Sequence, residues 1–95
     1  MIKVKINENG IHMEGHAGYH IDGHDIVCAA VSALTCSLVN SLQELAGVKV
    51  ETEEHPGYMD IQWGEMNDQG RILVDSWFLG VTAINQKYSC IQFIK

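Results

Sequence analysis

Ninety-five residues make one domain, 1–95, around a single modest core. Hydrophobic residues are 46% of the chain, enough to exclude disorder over most of it. Twelve acidic side chains against six basic ones leave a net charge of −6 and no basic stripe, which argues against direct nucleic-acid binding and for a basic partner.

Ile2, Val4 and Ile6 alternate with Lys3 and Lys5, the pattern of a half-buried strand. The alternation contains no apolar run of the signal-peptide kind. Cys28, Cys36 and Cys90 form no even disulfide framework. A reduced, cytoplasmic chain is therefore expected. Asn7 to Gly10 reads as a turn, with Asn9-Gly10 as its hairpin signal. Ile11 to Gly15 returns as a second strand and delivers His16 to its end. A loop rich in glycine and histidine follows, and then a helix from Gly23 or His24 to Ala46, stopped by Gly47.

Ile26 to Gln43 carries no charge and is long enough to raise the question of a membrane. Ser32, Thr35, Ser37, Asn40, Ser41 and Gln43 make it a buried core helix instead, and no membrane is expected. Its first half is apolar on nearly every face, so cover from more than one side is expected, including a second subunit in a homodimer. Val48 to Glu54 is the third strand, His55-Pro56-Gly57 a turn, and Tyr58 to Trp63 the fourth strand. Asp68 is the expected N-cap of a second helix to about Lys87, in which Gly80 marks close packing. Ser89 to Ile94 closes the chain as a strand. The order is ββαββαβ: an α+β domain with two helices packed on mostly antiparallel strands.

The chemistry concentrates between Gly15 and Ala33. Cys28 stands near the start of the long helix, where aligned N–H groups and the helix dipole favour a thiolate, the nucleophilic form. Asp22 or Asp25 is the N-cap; if it is Asp25, its carboxylate faces the N–H of Cys28. Upstream, His16 follows Gly15 directly and is available as a base, a cysteine–histidine pair being the minimum for thiol catalysis. His12, His20, His24 and His55 are rivals for that role. On spacing alone, a free cysteine in an apolar helix is more often a small buried hydrophobe, the reading given to Cys36 and Cys90. Cys28, Ser32 and Cys36 form one i, i+4 row that would face a cleft.

A metal site is the rival chemistry. His12, His16, His20, His24 and Cys28 recur every four residues, and His and Cys are zinc ligands. The row becomes a ligand set only on a continuous helix, which Gly15, Gly18 and Gly23 oppose. No metal and no cofactor is expected, and no glycine-rich phosphate loop is present.

The stretch resembles the ribosomal-processing cysteine proteases of Firmicutes and related bacteria. The matching residues are the Gly15-His16 pair, the glycine loop, Asp25, and Val27-Cys28-Ala29-Ala30-Val31-Ser32-Ala33. The resemblance selects His16 over its rivals and Cys28 as the nucleophile. It implies an endopeptidase that removes a short N-terminal extension from a large-subunit ribosomal protein. Asp25, Ser32 and Gly15 would support the dyad, and N–H groups at the helix start, including that of Cys28, would bind the oxyanion. The loop of Ala17, Gly18, Tyr19, His20, Ile21, Asp22, Gly23 and His24 is expected to be mobile alone and to order over the bound peptide. The alternatives are a non-catalytic ribosome-assembly factor that binds a peptide, and a His/Cys metal-binding protein.

Overall fold

Strict alternation in the strands decides which face of the sheet is covered. In the computed structural model, which describes residues 1–15 and 24–94 with His24 and Asp25 as backbone, Ile2, Val4, Ile11, Met13, Ile61, Trp63 and Ile91 are buried on one face. Lys3, Lys5 and Gln62 point to the other face and are exposed. Both helices therefore lie on a single side of the sheet.

The elements are β1 (Ile2–Asn7), β2 (Gly10–Glu14), α1 (His24–Glu44), β3 (Val50–His55), β4 (Tyr58–Trp63), α2 (Asp68–Tyr88) and β5 (Ile91–Ile94). This is the expected ββαββαβ order. The sheet runs β3-β4-β2-β1-β5, antiparallel throughout except for the parallel β1–β5 pair at one edge.

Thr35 joins the two helices in the core. Its hydroxyl donates to the Val31 carbonyl at 2.7 Å and accepts from the Trp77 indole N–H at 3.0 Å. Gly80 keeps the helices close: a Cβ there would sit 3.0 Å from Leu34 Cδ1, so the sequence reading of that glycine holds.

Several local expectations change, among them α1, which ends at Glu44 and not Ala46, and β3, which runs Val50–His55 and not Val48–Glu54. The β1–β2 turn is Glu8-Asn9, because Asn7 pairs with Gly10 as the first residue of β2. Gly10 is a glycine because a Cβ would run into the Ile61 carbonyl of β4, and it does not take the positive φ expected of an Asn-Gly turn. The cap of α2 is Asn67, not Asp68. Its side-chain carbonyl accepts from Gly70 N–H at 2.8 Å and its amide donates to the Ala46 carbonyl at 2.8 Å, a second bond no carboxylate can make. Asp68 follows in the first turn. Ser89 takes φ 53 to cap α2, so β5 starts at Ile91.

The apolar girth of α1 is only partly covered. Val27, Val31, Leu38 and Leu42 are buried, yet Ile26 is 60% exposed and Ala29 and Ala33 face outward. By length and composition alone, this helix could cross a membrane. In the fold it is the core helix, lying against the sheet and α2.

Candidate active site

A cleft of about 480 Å3 opens between α1 and the β3–β4 hairpin, at the end of the sheet where β2 stops. Cys28, Val31, Ser32 and Cys36 form its helical wall. Residues 54–59 form the opposite wall, Ile2 and Met13 line its floor, and Glu14 and Gly15 close one end.

Cys28 is the fifth residue of α1 and is half-buried at this wall. Its row-mates Ser32 and Cys36 are exposed to the same cleft. That corrects the reading of Cys36 as core: it shares the Cys28 row, whereas the buried row is Val27, Val31, Thr35, Leu38 and Leu42. Cys90 is buried as read, with its thiol donating to the Tyr88 carbonyl at 3.1 Å.

Gly15 is held by geometry that only glycine tolerates. Its φ is 102°, its N–H donates to the Gly57 carbonyl at 2.8 Å, and a Cβ would collide with the Met1 carbonyl. The last described residue before His16 is thus fixed at the cleft with Cys28.

Asp25 is the second residue of α1 and so lies inside the helix, which removes it as the N-cap. Helical i to i−4 bonding also commits the Cys28 N–H to the carbonyl of His24. The free N–H groups of the helix start precede it, so the expectation of Cys28 N–H as an oxyanion donor is corrected. His16, Ala17, Gly18, Tyr19, His20, Ile21, Asp22 and Gly23 lie outside the described residues, as do the side chains of His24 and Asp25. The expected mobile loop falls there.

Of the rival histidines, His12 and His55 are described. His12 is on the outer face of the sheet, with Nδ1 3.3 Å from Asp60 Oδ1 and Nε2 3.6 Å from Glu14 Oε2. His55 lines the cleft, but its Nε2 lies 3.2 Å from Glu53 Oε1 and the pair is exposed. The Tyr58 ring stands between them, its centroid 5.0 Å from that of His12 and 5.7 Å from that of His55. Partial burial, with the carboxylates of Glu53, Asp60 and Glu14, pushes the Tyr58 phenol above its ordinary value, which already keeps it protonated at neutral pH.

The hairpin wall is what the sequence reading missed. Pro56-Gly57 signals the turn, and Gly57 takes φ 75 as a type II turn needs, but nothing local places that turn opposite Cys28. The described ends of the four-residue His/Cys row lie in different elements, His12 in β2 and Cys28 in α1, while His16, His20 and the His24 side chain lie outside the described residues. Among the described residues, no three His, Cys, Asp or Glu side chains converge on a point that could hold a metal.

The family model described as cysteine protease Prp matches residues 1–92. The ribosomal processing cysteine protease Prp of Staphylococcus aureus is 25% identical over 95 residues, covering 93% of this chain and 90% of that one. The protein of the same name from Bacillus subtilis is 29% identical over 83 residues, covering 80% and 74%. The crystal structure of S. aureus Prp with a covalently linked product peptide superposes with a TM-score of 0.81 at 24% identity, over 97% of this chain and 94% of that one. At that identity the superposition speaks for the fold.

Proposed function

The chain belongs to the cysteine protease Prp family, and from that premise we propose that Cys28 and His16 are its catalytic dyad, acting on the N-terminal extension of a large-subunit ribosomal protein. The observation that carries this reading is the cleft itself: Cys28 lines it, and so does Gly15, the residue bonded to His16.

In this reading His16 takes the Cys28 thiol proton. The thiolate adds to the scissile carbonyl carbon, forming a C–S bond. The C–N bond then breaks, and His16 returns the proton to the leaving amine. Water, deprotonated by the same imidazole, hydrolyses the thioester and regenerates the thiol. Free N–H groups ahead of Cys28 at the start of α1 stabilise the oxyanion. Asp25 orients His16, and Ser32, one turn beyond Cys28, hydrogen-bonds the peptide. Membership of a protease family sets aside the non-catalytic assembly factor.

The test is to incubate the purified protein with peptides spanning the candidate cleavage site and to identify the products by mass spectrometry. A single cut that frees the extension is expected, and intact peptide after prolonged incubation sinks the reading.

The protease works in the cytoplasm as a homodimer in this proposal. Leu45, Ile72 and Leu79 are 72%, 67% and 69% exposed, and a dimer that covered them would remove apolar surface from water. Sedimentation at micromolar concentration is expected to give twice the 10.6 kDa chain mass. A clean monomer refutes the dimer and leaves the chemistry standing.

A further inference from the structure

Glu54 breaks the pattern of its own strand. In β3 it shares a face with Val50 and Thr52, the face turned toward the helices, whereas Glu51 and Glu53 point to the outer face. Charged side chains on an edge strand, inward-pointing ones included, discourage edge-to-edge pairing. Glu51 and Glu53 already do so here. An inward position of this kind ordinarily carries an apolar residue, and its cross-strand partner is Met59. Glu54 instead brings a carboxylate over a cleft whose floor is Ile2 and Met13 and whose walls add Val31 and Met59.

The carboxylate has no described partner, and edge protection alone does not require it to stand over the cleft. Among the described residues Glu54 makes no ion pair or hydrogen bond, while its neighbours are engaged, Glu53 with His55, and Glu14 and Asp60 with His12. No described lysine or arginine lines the cleft. Glu14, which closes one end of the same cleft, has His12 Nε2 at 3.6 Å, and the other acids at the hairpin end add to the negative potential.

From this we infer that Glu54 is a specificity-determining residue, which selects a lysine or arginine side chain of the peptide lying along the Cys28 cleft. The apolar floor takes the methylene stem of that side chain and the carboxylate takes its charged head. The inference rests on the proposed peptidase reading of the cleft. It deepens that reading by naming the chemistry of one substrate side chain and the wall that recognises it.

The experiment uses the full chain and a fluorescent peptide spanning the proposed cleavage site, with Lys, Gln or Glu placed in turn at each position beside the scissile bond. Wild-type enzyme is expected to prefer Lys to Glu at one position by ~fivefold or more in kcat/KM, mostly through KM, as for a partly desolvated charge pair. Glu54→Gln should level that preference and Glu54→Lys should invert it. Glu51→Lys makes the same change in net charge away from the cleft and should leave the preference intact.

Equal cleavage of all three peptides at every position overturns the inference and leaves the peptidase reading untouched. So does a Glu51→Lys variant that behaves like Glu54→Lys, since the effect would then belong to the overall field. Binding of the same peptides to Cys28→Ala protein, read by anisotropy, separates the two failures. A Lys preference in binding that Glu54→Lys inverts supports the subsite even if wild-type protein cuts nothing. Absence of any charge preference in binding sinks it.

Discussion

Two rows of α1 lie one residue apart and do opposite work. Val27, Val31, Thr35, Leu38 and Leu42 are buried and bind the helix to the sheet and to α2. Cys28, Ser32 and Cys36 run beside them along the cleft, half-buried or exposed. One row fixes the helix so that the other can present a thiol at a constant place. Rigid elements hold reactive groups more accurately than loops do. The proposed nucleophile, itself packed against the core, thus takes its position from the buried row.

The sharpest way to break this comparison is Cys28→Ala. Cleavage of the substrate peptide should vanish, while the melting temperature stays close to wild type, because a half-buried cysteine contributes about 1 kcal/mol or less. Cys28→Ser should behave alike. Wild-type turnover by either variant would remove Cys28 from the chemistry. A large loss of stability would instead merge the two rows into one structural unit.

The reverse experiment is Thr35→Val. It keeps the side-chain shape but leaves the Trp77 indole N–H without its acceptor in the core. An unpaired buried donor costs about 1–3 kcal/mol. The melting temperature should drop by about 4 °C or more, and Thr35→Ser should recover most of it. Turnover at 25 °C should change little, since the cleft row keeps its residues. Unchanged melting would mean that Thr35 is not the tie between the helices.

Much of this architecture was legible because it is written in periods. Alternation in Ile2–Ile6 and Tyr58–Trp63 marked strands and the face each buries, and Gly80 signalled the close helix pair. The proposal of Cys28 as nucleophile rests on residue types and spacing around it that form a motif. What escaped depends on partners distant in sequence. Gly10 is set by the Ile61 carbonyl, and Asn67 wins the cap through Ala46, twenty-one residues upstream. The hairpin wall faces Cys28 only because β4 joins β2 in the sheet, a pairing no local pattern specifies. Cys36 was misread for a subtler reason. A free cysteine is usually core, and the row it shares with Cys28 outweighed that tendency.

Cys36 also provides the mildest test of the two-row comparison. It lies eight residues past Cys28, about 12 Å along the axis at 1.5 Å per residue. That is too far for a disulfide with Cys28, whose Cα atoms would have to come within about 7 Å. Its exposed thiol makes no hydrogen bond among the described residues. Cys36→Ala should therefore leave both melting temperature and kcat within about twofold of wild type, as exposed substitutions away from special features do. A bulkier Cys36→Trp should separate binding from chemistry. It narrows the cleft two turns beyond Cys28, so KM for a long peptide should rise while kcat holds, and a peptide too short to reach it should be cut as before. If Cys36→Trp lowers kcat on the short peptide as well, the row does not act as a track along which substrate is laid. The cleft would then have to be assigned a different direction of binding.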